Sequence, residues 1–252
     1  MGQLKLSREL EANLERLSAN PYPGRGLVIG LNQRADMALQ AYWVMGRSEN
    51  SRNRILEVAG DIVRTAPHDP TKVTDTSLII YNAMLRVMHN HVVSNGDQTD
   101  TVAAFVASGL TFERAVENRT YEPDAPNYTP RITGILDTMV PSRSYMAIAT
   151  TRRSETTEDP VHTYFYADLG DYGPGLGHCV HTYSGDGDPL PSYKGEPFAL
   201  PLGNDPIDSA EMLWQNLNAD NRVAIAVKGI NLATREMTYS IINSHERAIH
   251  ES

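Results

Sequence analysis

The chain has 252 residues, of which 40% are hydrophobic and 21% charged, a composition typical of a folded globular protein and not of a disordered or collagen-like one. It carries 22 Lys and Arg residues against 31 Asp and Glu residues, and the net charge of −9 argues against a general nucleic-acid-binding protein, which presents a basic face. No apolar run approaches the roughly 18 residues of a membrane helix, so we predict neither nucleic acid nor a membrane among its partners.

Leucines at helical spacing open the chain. Residues 4 to 17 place five leucines among Lys, Arg and Glu, which predicts an amphipathic helix that ends at the turn over residues 20–24. This segment lacks the apolar core of a signal peptide. The single cysteine, Cys179, excludes an intramolecular disulfide. Both observations favour the reducing cytoplasm as the compartment.

Short apolar or alternating runs bounded by turn-forming residues predict strands through most of the remaining chain. The predicted strands are Gly26–Leu31, Ala38–Met45, Arg54–Val58, Asp61–Thr65, Ser77–Tyr81, Val87–Ser94, Arg131–Leu136, Tyr145–Thr151, Val161–Leu169, Leu176–Tyr183, Arg222–Ile230 and Glu236–Ile242. Helices are predicted at Thr99–Ser108, from Thr111 onwards, and at Asp208–Leu217. Residues 122–130 form a proline-rich loop, and residues 184–206 form a Gly/Pro-rich stretch.

The order of these elements predicts the fold class. The chain has many predicted strands and few predicted helices, and the helices lie between blocks of strands. This order predicts an α+β protein with two mostly antiparallel sheets and helices outside them. No Gly-x-Gly-x-x-Gly and no P-loop sequence occurs, so nothing indicates a dinucleotide or nucleoside triphosphate fold. We interpret residues 1–252 as a single domain, with residues 1–22 as an N-terminal helical extension.

The first of three dense polar runs covers residues 46–54 and contains three arginines interleaved with Ser and Asn. Arginine offers a planar fork of donors, and Ser and Asn add short, stiff ones. Arg47, Ser48, Asn50 and Arg52 are therefore candidates for holding a phosphate. The alternative is a charged loop between two strands.

Two further polar runs lie at 92–101 and 119–131. The former leads from a predicted strand into a helix capped by Asp97 or Thr99, where backbone N–H groups can receive an anion, although simple capping is the alternative. The latter is a loop that prolines hold rigid while it carries Tyr, Glu, Asp, Asn and Arg side chains, as a binding site requires. A purely structural loop is the alternative there.

The histidines give no support for a metal site. His89 and His91 alternate in a predicted strand, His178 and His181 flank Cys179, and no His-Glu-x-x-His sequence occurs. Such pairs are more typical of packing or surface positions than of ligands, so we predict no metal and no cofactor. Cys179 is predicted to be a buried, unreactive thiol.

Five segments, taken together and in order, resemble the archaeal-type IMP cyclohydrolase family. They are Pro23–Gly30, Gly46–Arg54, Ile80–Asn82, Ser94–Thr101 and Tyr121–Arg131. They span about residues 22 to 135, and the combination is specific although each segment alone is weak. The resemblance implies a four-layer α/β/β/α sandwich similar to the N-terminal-nucleophile hydrolases. It also implies the last step of purine nucleotide synthesis.

The implied reaction closes the formamido-imidazole-carboxamide ribonucleotide to IMP with loss of water. The carboxamide nitrogen, a poor nucleophile, must attack the formyl carbon. Catalysis would then rest on holding the two groups in contact, which is worth roughly 7–11 kcal/mol, and on polarising the formyl oxygen. Neither effect requires a metal.

On this hypothesis the predicted catalytic residues are Tyr81, Glu122 and Arg47. Tyr81 donates to the formyl oxygen or relays a proton to the leaving water, Glu122 takes the proton of the carboxamide nitrogen, and Arg47 holds the phosphate. The predicted substrate-binding residues are Arg25, Ser48, Asn50, Arg52, Asn82, Asn95, Gly96, Asp97, Thr99, Asn127 and Arg131. The structural alternatives are a packed strand tyrosine at Tyr81 and a salt bridge from Glu122 to Arg119 or Arg131.

The predicted partner is a purine nucleotide or its imidazole precursor, and we expect the protein to be a homo-oligomer. Two other functions stay open: a non-catalytic purine-nucleotide-binding protein, and an amidohydrolase with an N-terminal nucleophile. The latter needs Ser, Thr or Cys at a freed N-terminus before the first strand. Here that strand opens with Pro23-Gly24-Arg25 after about 22 residues.

Overall fold

Two antiparallel sheets hold the strands of the residues that the structure, a computed structural model, describes, namely 2–73, 79–140 and 143–246. The strands are β1 (Gly26–Leu31), β2 (Met37–Met45), β3 (Arg54–Ala59), β4 (Ile62–Pro67), β5 (Asn82–Val87), β6 (Asn90–Ser94), β7 (Arg131–Val140), β8 (Arg143–Arg153), β9 (Pro160–Asp168), β10 (Leu176–His181), β11 (Phe198–Pro201), β12 (Arg222–Asn231) and β13 (Met237–Asn243). The helices are α1 (Gly2–Ala19), α2 (Glu49–Arg52), α3 (Gln98–Ala107), α4 (Phe112–Glu117), α5 (Leu169–Tyr172) and α6 (Pro206–Gln215). No helix within the described ranges is long and apolar enough to cross a membrane.

The two sheets differ in how the chain builds them. The first has six strands in the order β11-β10-β1-β2-β12-β13, so it joins strands from distant parts of the sequence. The second has seven strands, β3 to β9, in chain order. Neighbouring strands are antiparallel throughout both sheets. The last two strands, β12 and β13, pair with each other as a hairpin.

Three apolar clusters define four layers. The first lies between the sheets and joins Leu27 and Tyr42 of one sheet to Met84 and Ile132 of the other. The second packs α1 and α6 against the outer face of the first sheet, where Trp43 is fully buried. The third packs α3 and α4 against the outer face of the second sheet. The predicted α+β fold with an α/β/β/α layering is therefore confirmed.

This layering explains the strand compositions. β1 and β10 are buried along their whole length because helices cover one face of their sheet and the second sheet covers the other. The helices begin where the sequence supplies caps. The Thr111 side chain accepts from the Arg114 N–H at the start of α4, and Asp205 caps α6 with Pro206 in its first turn.

Two sequence predictions are wrong in the second sheet. Residues 79–81 of the predicted strand Ser77–Tyr81 form a turn and a bend, while residues 77 and 78 lie outside the described residues. The predicted strand Val87–Ser94 is divided, because Met88 has a φ of 54° in the turn between β5 and β6. In addition, the Gly/Pro-rich stretch contains the short strand β11, which pairs with β10.

Candidate active site

A cavity of about 470 Å³ opens at the edge of the sandwich where β1 and β3 begin and β2 and β10 end. That volume falls in the range of small-molecule sites. Its walls come from the segment before β1, the β2–β3 connection, the loop between α4 and β7, and the segment after β10. Six predicted site residues line it: Arg25, Arg47, Ser48, Asn50, Glu122 and Asn127.

Arg25 and Glu122 form a buried two-point ion pair in the cavity wall. Arg25 Nη2 donates to Glu122 Oε2 at 2.7 Å and Nη1 donates to Oε1 at 3.0 Å. Burial disfavours the charged guanidinium, but the Glu122 carboxylate, together with Tyr81 and Tyr42, holds the pKa of Arg25 well above its ordinary value. Burial also raises the pKa of Glu122, and Arg25 opposes that rise. Each carboxylate oxygen keeps a second lone pair for a further proton or hydrogen bond.

The backbone around the pair fixes its position. Gly24 has a φ of +73°, and a Cβ there would lie 2.2 Å from Thr182 Oγ1, so only glycine fits the turn that leads into Arg25. The Arg25 N–H donates to Thr182 Oγ1 at 3.1 Å, and its Nη1 also donates to the Asn95 carbonyl at 2.9 Å. The ion pair is thus held by three segments that lie far apart in sequence.

Two tyrosines, Tyr42 and Tyr81, interact electrostatically with Arg25. Tyr42 Oη and Tyr81 Oη are 2.6 Å apart, and both residues are buried. Burial raises the pKa of Tyr42 well above its ordinary value, so its hydroxyl stays protonated. Tyr81 is not among the residues that line the cavity. Its hydroxyl has a structural partner, and its predicted catalytic role stays a prediction.

A chain of hydrogen bonds forms another part of the wall. Thr129 Oγ1 is bonded to the Asp124 carboxylate and to the Tyr183 hydroxyl. Because the carboxylate only accepts, Thr129 donates to Asp124 and accepts from Tyr183. The Thr129 N–H adds a bond to Asp124 Oδ1 at 2.7 Å. These three residues line the cavity, and none of them was predicted as a site residue.

The arginine-rich run forms the remaining wall. Arg47 pairs with Asp186, and its guanidinium lies 5.0 Å from the centroid of the Tyr22 ring. Ser48 caps the short helix α2, its Oγ accepting from the Ser51 N–H at 3.2 Å. Arg54 also lines the cavity, although the sequence analysis did not place it among the site residues.

Two predicted binding residues have partners away from the cavity. Arg52 Nη2 donates to Asn221 Oδ1 at 3.2 Å, and Asn82 Nδ2 donates to Asp100 Oδ1 at 2.8 Å. Neither side chain is part of the cavity lining.

The second polar run supports the ion pair from outside the cavity. Asn95 Nδ2 donates to the Pro130 carbonyl at 2.9 Å and its Oδ1 accepts from the Ile132 N–H at 2.8 Å, so it ties the run to the start of β7. A Cβ on Gly96 would lie 3.3 Å from Glu122 Oε1, which shows how closely this backbone approaches the carboxylate.

The charged residues of the second and third polar runs, at 92–101 and 119–131, form ion pairs with one another. Asp97 pairs with Arg119 and, at 2.9 Å, with Arg131 Nη1, and the Thr99 hydroxyl is bonded to Ser94. Asp97 occupies the N-cap position of α3 but makes no capping bond with its side chain. The structure therefore gives Asp97, Thr99 and Arg131 contacts within the protein and places none of them on the cavity.

The family model for the IMP cyclohydrolase-like protein matches residues 22–234. The chain belongs to this family. Every residue that lines the cavity falls within the matched range, whereas α1 precedes it.

A relative of known name gives a second comparison. A part of the chain is 34% identical over 121 residues to the IMP cyclohydrolase of Methanopyrus kandleri. The alignment covers 46% of this chain and 59% of that protein, so the chain spans about three fifths of the length of the relative it matches.

In this member of the IMP cyclohydrolase-like family, the sequence did not indicate Tyr183, which follows β10 and reaches the cavity through tertiary contacts. It also did not indicate Tyr42, which lies in a buried strand and is bonded to the Tyr81 hydroxyl. Neither residue belongs to a polar run. Arg54 could have been predicted as a site residue, because it ends the arginine-rich run. Within the described ranges, no three or more His, Cys, Asp or Glu residues are grouped so as to hold a metal ion.

Proposed function

We propose that this protein is an IMP cyclohydrolase, which closes the formamido-imidazole-carboxamide ribonucleotide to IMP and water. The observation that carries the proposal is the buried Arg25–Glu122 pair in the wall of a nucleotide-sized cavity, with the Tyr42 and Tyr81 hydroxyls in its electrostatic range. The family match and the curated relative's name support the same reaction.

The reaction has two proton transfers. The carboxamide nitrogen attacks the formyl carbon, a C–N bond forms, the nitrogen loses a proton, and the formyl oxygen becomes a hydroxyl. The hydroxyl then leaves as water while the former formamide nitrogen loses its proton, giving the C=N bond of the new ring. The protein must orient the reacting groups, accept a proton, and protonate the departing oxygen.

Glu122 is the proposed proton acceptor. Its pKa is raised by burial, which brings the carboxylate closer to the basicity that a general base needs near neutral pH. Arg25 holds both carboxylate oxygens and so fixes their direction. It is therefore a positioning residue as well as a donor to substrate.

Tyr81 is the proposed donor to the formyl oxygen and to the leaving water. Its hydrogen-bond partner, Tyr42, keeps its proton because burial raises the pKa of Tyr42. A substrate-induced shift of the hydroxyl into the cavity is part of the proposal.

The other predicted residues fall into two groups. Arg47, Ser48, Asn50 and Asn127 line the cavity, and we assign them to substrate contacts. The remaining residues act on the substrate through their neighbours: Arg52, Asn82, Asn95, Gly96, Asp97, Thr99 and Arg131. Cytoplasmic location and a homo-oligomeric state stay predictions, the latter measurable by sedimentation.

The experiment is incubation of the purified protein with the formamido ribonucleotide in a chelator-containing buffer, with IMP measured by absorbance and chromatography. We expect many equivalents of IMP per protein, because the proposed chemistry uses protein side chains alone. Tight binding of the nucleotide with no IMP formed would instead identify a non-catalytic nucleotide-binding protein.

A further inference from the structure

Three buried polar side chains meet between the two sheets, at the end of the sandwich away from the candidate active site. Gln40 lies near the start of β2, Lys228 near the end of β12 and His91 in β6. None of the three is more than 2% exposed. Gln40 Nε2 donates to the His91 carbonyl at 3.0 Å, so this contact joins the first sheet to the second.

The strand register places these side chains in the layer between the sheets. Gln40 and Lys228 are partners in neighbouring strands, so their side chains lie side by side on one face of the first sheet. Because side chains alternate along a strand, that face is the one through which Tyr42 packs against the second sheet. His91 shares a face of β6 with Val93, which belongs to the same apolar cluster. The three polar side chains are therefore neighbours in an otherwise apolar layer.

Each of the three side chains has one buried polar atom without a hydrogen-bond partner among the described residues. These atoms are Gln40 Oε1, His91 Nδ1 and Lys228 Nζ. Buried polar groups in folded proteins are nearly always satisfied, either by protein groups or by ordered water. Neighbouring polar atoms that make no direct hydrogen bond to one another are the usual partners of a bridging water.

The surrounding contacts assign a donor or acceptor role to each atom. The Thr138 hydroxyl donates its one hydrogen to the His89 carbonyl at 2.9 Å, and its oxygen lies 3.5 Å from His91 Nε2. Thr138 Oγ1 therefore accepts from His91 Nε2–H. Burial lowers the pKa of His91 to about 2, so the ring is neutral and its Nδ1 is an acceptor. Gln40 Oε1 is a second acceptor, because the amide nitrogen is bonded to the His91 carbonyl, and Lys228 Nζ supplies the donors.

We propose that one internal water molecule binds between the sheets, accepting a hydrogen bond from Lys228 Nζ and donating to Gln40 Oε1 and His91 Nδ1. Three hydrogen bonds is the number that a buried water typically makes. The water links β2 and β12 of the first sheet to β6 of the second. Because water both donates and accepts, it serves the lysine amine in its charged and in its neutral form. The inference is independent of the proposed reaction.

A small anion is the competing occupant of this site. Lys228, Arg86 and Arg235 all place positive charge in the electrostatic range of His91, and such charge attracts anions. Two of the three inward-facing atoms, however, present lone pairs, which repel an anion and accept from water. The burial of all three side chains leaves no open route for a larger ligand. Water therefore fits the donor and acceptor pattern better than an ion does.

A high-resolution crystal structure of the wild type, from crystals soaked in bromide and measured at the bromine absorption edge, tests the proposal without a variant. We expect a density peak about 2.7–3.2 Å from Lys228 Nζ, Gln40 Oε1 and His91 Nδ1, with no anomalous signal. An anomalous peak there would identify an anion and overturn the proposal. A direct hydrogen bond from Lys228 Nζ to either acceptor, with no peak between them, would also overturn it.

Oxygen-17 magnetic relaxation dispersion gives a second test in solution, because it counts the long-lived internal waters of a protein. Lys228→Met removes the donor and should lower the count by one relative to the wild type. Lys72→Met is the matched control and should keep the count, since Lys72 is an exposed lysine that pairs with Glu49. An unchanged count in folded Lys228→Met would contradict the proposal.

Discussion

Glu122 and Arg25 show how burial and an ion pair act against each other on one carboxylate. Removal from water raises the pKa of Glu122, whereas the guanidinium favours the ionised form, and the balance leaves the pKa raised. A carboxylate in this state is a stronger base than a solvated one. The ion pair therefore positions the group without removing its basicity.

This balance predicts the pH dependence of the reaction. The general base must be ionised, so kcat/KM should reach its plateau above the pKa of Glu122 and should fall as the pH drops through that pKa. Because that pKa is raised, the acid limb should lie above the ordinary glutamate value of about 4.3. A pH–rate profile measures the midpoint. A limb at or below the ordinary value would show that Glu122 is not the acceptor.

Tyr81 gives a second residue-scale prediction. Tyr81→Phe removes one hydroxyl and little volume, so folding and substrate binding should be retained while kcat falls by about 10²-fold, the scale for one transition-state donor. Tyr145→Phe is the matched control, because Tyr145 is an exposed tyrosine of β8, outside the cavity. Steady-state kinetics and a melting curve separate the effects. Wild-type kcat in Tyr81→Phe would make the Tyr42–Tyr81 bond purely structural.

How much of the site was predictable depends on which residues are neighbours in sequence. The polar runs pointed to Arg47, Ser48 and Asn50, which stand close together in the chain and line the cavity. The hydrogen bond between Thr129 and Tyr183 joins residues from distant segments, and no local sequence pattern predicts it. Arg131 pairs with Asp97, and its role at the substrate stays a prediction, because sequence alone does not distinguish a structural ion pair from a ligand contact.

At the scale of elements, β12 carries a charge into the layer between the sheets. Lys228 is fully buried, and within the described part of the chain its Nζ has no hydrogen-bond partner. Burial lowers its pKa to about 7, with Asp61 opposing and Arg86 adding to the shift. The nearby His91 stays neutral, since burial and then Lys228 lower its pKa to about 2.

This lysine predicts the pH dependence of stability. The pKa of Lys228 in the folded protein is below the unfolded value of about 10.4, so burial of the charged lysine lowers the free energy of unfolding. This loss of stability is complete below pH 7 and disappears as the pH rises towards 10. Over that window Lys228 should add of the order of 4 kcal/mol to the free energy of unfolding, measured by urea titration at several pH values. Lys228→Met should remove this slope. The exposed Lys72→Met should keep it, and an equal slope in all three proteins would contradict the account.

Helix α1 is bound to the first sheet through a few contacts that predict a stability effect. Leu17 is 1% exposed in the cluster under α1 and α6, whereas Leu6 is 37% exposed. Leu17→Ala should cost about 2–5 kcal/mol and lower the melting temperature by several degrees, because a cavity remains. Leu6→Ala is the matched control and should change little. Equal melting temperatures for the two variants would show that α1 contributes no packing.

The elements that were predicted well are those with uninterrupted local patterns. Strand β1 matches its predicted bounds because glycines, an apolar run and a turn coincide. Strand β5 begins at residue 82, directly after the predicted strand Ser77–Tyr81, because the turn and bend at residues 79–81 were not recognised among apolar residues. The four-residue strand β11 exists through its pairing with β10, and such pairing is a tertiary contact.

For the whole molecule, the layered fold explains why the cavity is where it is. Strands of both sheets end or begin at one edge, so loops from opposite layers meet there and bring Arg25, Arg54 and Glu122 to one cavity. The order of strands and helices predicted two antiparallel sheets with helices outside them, and the family resemblance implied the four layers. The strand order of the first sheet was not predictable, because β10 and β12 pair with β1 and β2 across most of the chain.

The most direct test of the central claim joins the activity to this cavity in one measurement. Conversion of the formamido ribonucleotide to IMP is followed for the wild type and for Glu122→Gln, which keeps the shape but cannot accept the proton. We predict repeated turnover by the wild type and a rate lower by about 10²–10⁴-fold in the variant, with substrate still bound. Equal rates in the two proteins, or no IMP from the wild type, would contradict the account.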